Sequence, residues 1–147
     1  MSIQSSTTNL NSRFWKVIFL IAGLITAGGV LPSIINPQKG VLDFTGQVID
    51  DYYTLFFFQS GWLAVFVYGI GYLIVATKPS QHIGIVMIGL LGKLIFAINI
   101  FSRFSSGKFA DMALMAASFD MIFVVLFGMF IYLYWAKNRK SIQITNT

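Results

Sequence analysis

The sequence predicts an all-α integral membrane protein: a four-helix bundle with both termini in the cytoplasm and a long extracytoplasmic first loop. Three observations lead to this prediction, namely a low content of charged residues, four long apolar runs, and an uneven distribution of lysine and arginine between the ends of those runs. Of the 147 residues, 56% are hydrophobic and 10% are charged, whereas a soluble domain carries roughly 25% charged residues. This length suits one domain, so residues 1–147 are treated as a single transmembrane domain.

The four apolar runs are long enough to cross a membrane as helices. A helix rises ~1.5 Å per residue and the hydrocarbon core is ~30 Å thick, so roughly 17–25 apolar residues suffice. Because lipid offers the backbone no hydrogen-bond partner, each run has to satisfy its own peptide groups, as a helix does. Pro32 is expected to end the first span, and the Lys78-Pro79 turn the second. We place the spans at about 14–31, 56–77, 83–101 and 112–136.

Lysine and arginine indicate how the spans are oriented. Cytoplasmic loops carry an excess of these residues, so the end with the larger number is expected in the cytoplasm. One end, which includes both termini, carries Arg13, Lys16, Lys78, Lys137, Arg139 and Lys140, and the other carries Lys39, Arg103 and Lys108. The first run is too long for the apolar region of a cleaved signal peptide, so we expect it to be retained as a span.

The first loop, about 32–55, is the longest connection, and loops of that length are often functional. Its segment 41–53 mixes aromatic and acidic residues in the manner of an interfacial segment. We expect this segment to lie against the outer face as a short helix or lid. A simpler interpretation of Tyr52, Tyr53 and Trp62 is an aromatic belt at the level of the lipid headgroups.

Two opposite charges, Lys93 and Asp120, lie inside the third and fourth apolar runs. A lone charge at the bilayer centre costs at least ~2.5–3.5 kcal/mol on insertion scales. Lys93 lies nine positions before Ser102, and Asp120 lies nine positions after Asp111, where the outer boundaries of these spans are expected. At ~1.5 Å per residue both charges sit ~13–14 Å below the surface. The matched depth on neighbouring helices predicts a buried ion pair.

The faces around the two charges carry small residues, which let helix backbones approach closely in membranes. The stripe on the third helix comprises His82, Val86, Gly89, Lys93, Ala97 and Ile100, and that on the fourth Ala113, Ala116, Ala117, Asp120, Val124 and Phe127. The first two helices offer Gly23, Ala27, Gly28 and Gly61. Further members of the polar column are predicted to be Tyr68, Tyr72, Asn99, Ser102 and Ser118. His82 is expected at the interface or at a helix start, with a ligand role as the alternative.

Composition excludes several functions. Because the chain has no cysteine, it can form no disulfide, no thiolate metal site and no thiol-based redox relay. With one histidine and no glutamate, neither a metal site nor a pair of catalytic carboxylates is supported, and we predict no cofactor. The basic residues sit at the ends of apolar runs, where they act as topology signals, so no nucleic-acid partner is expected.

The stretch 58–127 contains GYLIVATKPSQH, then GLLGK, and further on a helix with an aspartate before an aromatic-rich end. This pattern resembles a group of small bacterial four-helix membrane proteins that are distantly DoxX-like. The matching positions are Gly71, Tyr72, Pro79, His82, Gly89, Gly92, Lys93 and Asp120, and about half of the chain is covered. The resemblance implies a multi-pass protein of the bacterial inner (cytoplasmic) membrane, and an accessory role beside membrane redox or quinone-linked enzymes.

Several functions agree with these observations. The leading hypothesis is a non-catalytic membrane protein that binds a lipid, a quinone-like molecule or a partner membrane subunit around Lys93 and Asp120. An alternative is an enzyme acting on a lipophilic substrate, with Lys93 as electrophilic stabiliser or Schiff-base amine and Asp120 as general acid or base. A third is a small proton-coupled transporter that works as a homo-oligomer. The pair can also do no more than fix the register of the helices.

Overall fold

The computed structural model describes residues 9–104, 106–107 and 109–145, with side chains described as far as Arg139. Lys108 and the side chain of Lys140, both used above to predict orientation, lie outside the described residues. The described chain is all-helical, and four of its five α-helices are long and apolar enough to cross a membrane, which indicates a multi-pass membrane protein. The long helices are α1 (Arg13–Ile35), α3 (Tyr52–Thr77), α4 (Ile83–Phe104) and α5 (Asp111–Thr145), and the short one is α2 (Pro37–Thr45).

The first helix does not end at Pro32, as predicted, but continues to Ile35. A proline removes only its own N–H donor, and the carbonyl of Pro32 still accepts a hydrogen bond from the Asn36 N–H at 2.9 Å. The helix ends at Asn36 instead, because the side chain of Asn36 accepts from the Lys39 N–H and so caps α2. Pro37 then occupies the first turn of α2, where a missing N–H costs nothing.

The first loop contains a short helix, although the predicted position, 41–53, was too late in the chain. The helix is α2, and it ends at Gly46, whose φ of 70° is the left-handed conformation that glycine adopts without strain. The following helix, α3, starts four residues earlier than the predicted position 56. It starts there because Asp51 Oδ2 accepts a hydrogen bond from the Thr54 N–H at 2.7 Å. Hydrogen bonds from the Thr54 hydroxyl and backbone hold the pKa of the Asp51 carboxyl below its ordinary value.

The remaining connections are short. A 3₁₀ turn, Pro79–Gln81, joins α3 to α4, and the Ser80 N–H donates a 3.1 Å hydrogen bond to Asn11 Oδ1. Leu10 is buried in the same region, 3% exposed. Residues 9–12 are therefore packed on the turn between α3 and α4. We call the end of the molecule where residues 9–12 and this turn lie the N-terminal end. The opposite end, where α2 lies, is called the α2 end.

The helices form two antiparallel pairs. In the first pair, Gly69 of α3 meets the backbone of Ala27 of α1 so closely that a Cβ at position 69 would lie 2.6 Å from the Ala27 nitrogen. Further along, Gln59 Nε2 donates a 2.7 Å hydrogen bond to the Ile34 carbonyl. As the residue number falls on α3 it rises on α1, so the two helices run in opposite directions. The α4–α5 pair is antiparallel by the same criterion, since Leu90 packs near Gly128 and Lys93 reaches Asp120.

Aromatic rings join the two pairs near the N-terminal end. The centroids of Phe19 on α1 and Tyr72 on α3 each lie 5.1 Å from that of Phe127 on α5. Trp15 contacts Phe130 at the same distance. Rings of this size bury much apolar area, so this cluster closes the interior at the N-terminal end. The interior opens toward the α2 end.

Candidate functional site

Lys93 and Asp120 meet in the interior, where α4 faces α5. The Lys93 ammonium donates a hydrogen bond to Asp120 Oδ1 and a second one, 3.2 Å long, to the hydroxyl of Thr26 on α1. The Lys93 side chain is 7% exposed and that of Asp120 is 21% exposed. Three helices therefore converge on one ammonium group, and each charge is compensated by the other.

Two aromatic rings complete the surroundings of the ammonium. The Lys93 nitrogen lies 5.6 Å from the ring centroid of Tyr72 and 5.3 Å from that of Phe123. A cation within about 6 Å of a ring face is attracted by the ring quadrupole. Tyr72 reaches this position because Gly89 has no side chain: an added Cβ at Gly89 would collide with the Tyr72 hydroxyl. Tyr72 can therefore occupy this position only because residue 89, one turn before Lys93, is a glycine.

The pair lines two adjoining cavities. The smaller, about 120 Å³, extends toward Tyr68 and Tyr72, and the larger, about 250 Å³, extends toward α2. Both are mainly apolar, and the residues that line both are Thr26, Trp62, Val65, Lys93, Phe96 and Asp120. We call the two cavities together the cleft. The ion pair and the Thr26 hydroxyl form its polar floor.

The short helix α2 covers the larger cavity of the cleft. Asp43 and Phe44 line the larger cavity, and the ring of Phe44 packs 4.8 Å from that of Trp62, centroid to centroid. The Phe44 carbonyl accepts a 2.9 Å hydrogen bond from the Ala110 N–H, which links α2 to the start of α5. Asp43 is itself paired with Lys39 one turn away on α2. The helix α2 therefore covers the cleft and is fixed by contacts with α3 and with the start of α5. We call it the roof of the cleft.

The structure brings together four of the six predicted site residues. Lys93, Asp120, Tyr68 and Tyr72 all line the smaller cavity, although Tyr68 is also 39% exposed on the outer surface. His82 directly precedes α4, where its carbonyl accepts hydrogen bonds from the N–H groups of Ile85 and Val86, and it lines neither cavity of the cleft. It therefore occupies a helix-start position.

Asn99 does not join the polar column, and neither do Ser102 and Ser118. All three are exposed, and the two serine hydroxyls donate to backbone carbonyls of their own helices. The prediction was wrong because Asn99 is six residues from Lys93, which at ~3.6 residues per turn places it on a different face. Gly61 and Gly28 are likewise exposed, with open space where a Cβ would be.

Sequence reasoning missed Thr26, the third partner of the pair. A threonine in an apolar helix commonly bonds its own backbone, so its presence alone carries no signal. The available signal was its position, one turn from Gly23 and Val30 on the face of α1 that packs inward. The aromatic walls, Trp62 and Phe96, were missed as lining because aromatics in a span are equally expected at its outer surface.

The arrangement provides a polar, charge-balanced floor beneath apolar walls. Its groups are a hydrogen-bonded ammonium, a carboxylate and the hydroxyl of Thr26, with the hydroxyl of Tyr72 nearby. Among the described residues, no group of three His, Cys, Asp or Glu side chains is placed to hold a metal ion. Such a floor can orient the polar end of an otherwise apolar molecule by hydrogen bonds.

Comparison with family models, with curated proteins and with solved structures finds no match to this chain.

Proposed function

We propose that this protein is a non-catalytic membrane protein that holds a lipophilic molecule in the cleft, with the polar end of that molecule on the Lys93–Asp120 pair. The observation that carries the proposal is the position of the pair: it is the floor of an apolar cleft that continues to the roof formed by α2. Pockets for small molecules are mostly apolar, with a few convergent polar groups that fix orientation. The cleft has this composition.

An ion pair that only fixes the register of the helices does not require a cavity beside it. Polar groups that specify packing are satisfied by each other and enclosed by their neighbours. Here both charged side chains line both cavities, and the carboxylate of Asp120 retains part of its surface toward the cleft. The space beside the pair therefore favours binding over a purely structural role.

The membrane setting is part of the same proposal. The Asn11–Ser80 hydrogen bond and the Trp15–Phe130 contact bring the two terminal helices and the α3–α4 turn to one end. That end carries five described cations: Arg13, Lys16, Lys78, Lys137 and Arg139. By the excess of positive charge in cytoplasmic loops, we place this end of a four-helix bundle in the cytoplasm of a bacterium and α2 outside the inner membrane. The distant DoxX-like relationship belongs to the proposal as well.

Native mass spectrometry of the purified protein tests the binding proposal. The informative variant is Lys93→Met/Asp120→Leu, because replacing both partners by apolar residues of similar shape leaves no unpaired charge and is expected to preserve the fold. The wild-type protein is expected to carry a small molecule that this double variant lacks. Lys16→Met, which removes an exposed lysine that lines neither cavity, is the control and is expected to retain the molecule.

Two results contradict the proposal. One is a wild-type protein that carries no small molecule after extraction in mild detergent, and the other is a double variant that is folded and retains the molecule in full. If the double variant instead loses a second polypeptide, the pair belongs to an interface with a partner subunit, and the ligand proposal fails.

A further inference from the structure

The helices α1 and α5 contact each other near the N-terminal end but are separated by the cleft near the α2 end. Trp15 and Phe19 of α1 pack on α5 through ring contacts of 5.1 Å. Closer to α2, residues of both helices line the larger cavity. Those nearest the gap are Ile25, Gly29 and Val30 on α1, and Met112, Met115, Ala116 and Phe119 on α5.

Five of these seven residues are also exposed on the surface of the molecule, whereas Val30 is buried and Ala116 is half-buried. Ile25 is 45% exposed, Met112 46%, Met115 54% and Phe119 47%. Gly29 is exposed as well, with nothing near the position of a Cβ. A residue that both lines a cavity and faces outward marks an opening, which we call the α1/α5 opening. Because its rim is apolar and belongs to two membrane-spanning helices, it faces lipid.

The α1/α5 opening lies in one half of the bilayer. Its rim on α5 runs from Met112 to Phe119, which is the first two turns after the start of that helix at Asp111. At ~1.5 Å per residue, Asp120 is ~13–14 Å from that start, about half of a ~30 Å hydrocarbon core. The roof formed by α2 covers the same end. A molecule that enters here therefore comes from the leaflet at the α2 end.

The charges along the cleft are balanced in pairs. Of the residues that line it, Lys93, Asp120 and Asp43 each contact a side chain of the opposite charge type: Lys93 with Asp120, and Asp43 with Lys39. A phosphate or carboxylate at the floor would leave one negative charge unpaired in an apolar site, and an ammonium group would leave one positive charge. An uncharged hydroxyl or carbonyl meets hydrogen-bonding groups there without this penalty.

We infer that the α1/α5 opening admits, directly from the bilayer, a lipid whose polar end is an uncharged hydroxyl or carbonyl, and that this end stops at the Lys93–Asp120 pair. The larger cavity, about 250 Å³, is slightly below the usual range of roughly 300–1,000 Å³ for ligand pockets. The polar end and part of the chain fill it, and the rest of the chain lies in the bilayer. This inference rests on the proposed binding function.

Photolabelling in lipid nanodiscs of phosphatidylcholine tests both the route and the chemistry. The probes are hexadecanol, hexadecan-2-one, hexadecyl sulfate and hexadecyltrimethylammonium, each with a diazirine at the same carbon of the chain. Peptide mass spectrometry then locates the labelled residues. Both uncharged probes are expected to label segments 25–33 and 112–119 at least about fivefold more than either charged probe, a conservative lower bound for the penalty of an unpaired charge in an apolar site.

Two adjacent glycines of α1 provide a matched pair of variants. Gly29 lines the cleft and Gly28 does not, yet both are exposed with open space at the position of a Cβ. Gly29→Trp is expected to reduce labelling by hexadecanol about fivefold or more, and Gly28→Trp to leave it unchanged. Met115→Trp, on the facing rim, narrows the same opening from α5 and is expected to act like Gly29→Trp. All three variants are first checked for a monodisperse, helical protein.

The inference is overturned if a charged probe labels the cleft more strongly than the uncharged probes, or if folded Gly29→Trp and Met115→Trp label as well as the wild type. In the second case, a molecule that is still lost from Lys93→Met/Asp120→Leu in native mass spectrometry leaves the binding proposal intact and refutes only the lateral route. If no probe labels the cleft and the wild type carries no molecule, both fail.

Discussion

Separating the partners of the buried pair is expected to cost the protein much of its stability. Lys93→Met leaves the carboxylate of Asp120 in an apolar cleft without an ammonium partner, and Asp120→Leu leaves the ammonium of Lys93 with only Thr26 and two rings. Breaking a buried ion pair from one side costs ~3–5 kcal/mol. We expect about 3 kcal/mol for Lys93→Met, because the Asp120 side chain is 21% exposed. We expect about 4 kcal/mol for Asp120→Leu, because the Lys93 side chain is 7% exposed.

The double variant, Lys93→Met/Asp120→Leu, is expected to differ from the wild type by only about 1 kcal/mol, since it buries no unpaired charge. The free energy of unfolding can be measured in mixed micelles by titration with a denaturing detergent, followed by circular dichroism. The double-mutant cycle then gives a coupling energy of several kcal/mol, far above the ~0.6 kcal/mol average for interhelical hydrogen bonds in membranes.

A matched control is the exposed Lys39–Asp43 contact on α2, one turn apart, where the Lys39 side chain is 64% exposed. Lys39→Met is expected to change the free energy of unfolding by less than about 0.5 kcal/mol. The reasoning is refuted if the single variants at Lys93 and Asp120 each cost less than about 1 kcal/mol, or if their effects simply add in the double variant.

Three further predictions concern other parts of the fold. Gly69→Ala is expected to lower the free energy of unfolding by ~1–3 kcal/mol, because its Cβ would lie 2.6 Å from a backbone nitrogen of α1, whereas Gly61→Ala, on an open face, should not lower it. Thr26→Val should cost about 1 kcal/mol in the same unfolding assay by removing an acceptor from Lys93, and Thr26→Ser should restore most of it; equal losses would contradict the contact. The stabilisation from the Asp51 cap should be present above the ordinary carboxyl pKa of 3.8 and be lost as the pH falls through the lowered folded pKa. Protection of the amides in the first turn of α3, measured against their intrinsic exchange rates, should therefore fall at low pH in the wild type but not in Asp51→Asn, which caps without titrating.

The existence of the four long helices followed from hydropathy, but their ends did not. Apolar runs show where lipid can surround a helix, whereas capping residues decide where the helix begins and ends. The start of α3 at Tyr52 depends on Asp51, and the end of α1 depends on Asn36 and Pro37 rather than on Pro32. Each of these signals is visible in the sequence, and each outweighs the change in hydropathy nearby.

The pairing of Lys93 with Asp120 could be expected from depth, since both residues lie nine positions from the ends of neighbouring spans. The contact of Lys93 with Thr26 could not be expected from depth. Thr26 is uncharged, so burying it in the membrane carries no energetic penalty that requires a charged partner. Asn99 was assigned to the column for its polarity alone, and its helical position places it on an exposed face. The cleft itself depends on how far α1 and α5 separate, which is a property of packing between distant segments.

The contact between the Lys93 ammonium and the Asp120 carboxylate is open to direct measurement in a bilayer. Solid-state NMR can record the dipolar coupling between ¹⁵Nζ of lysine and ¹³Cγ of aspartate in protein reconstituted in lipid, with Lys39→Met removing the one other described lysine–aspartate ion pair. We predict strong dephasing from a nitrogen and a carboxylate in salt-bridge contact, within about 4 Å, and its loss in Asp120→Asn. A Lys39→Met protein that keeps Lys93 and Asp120 and shows no dephasing would contradict the account.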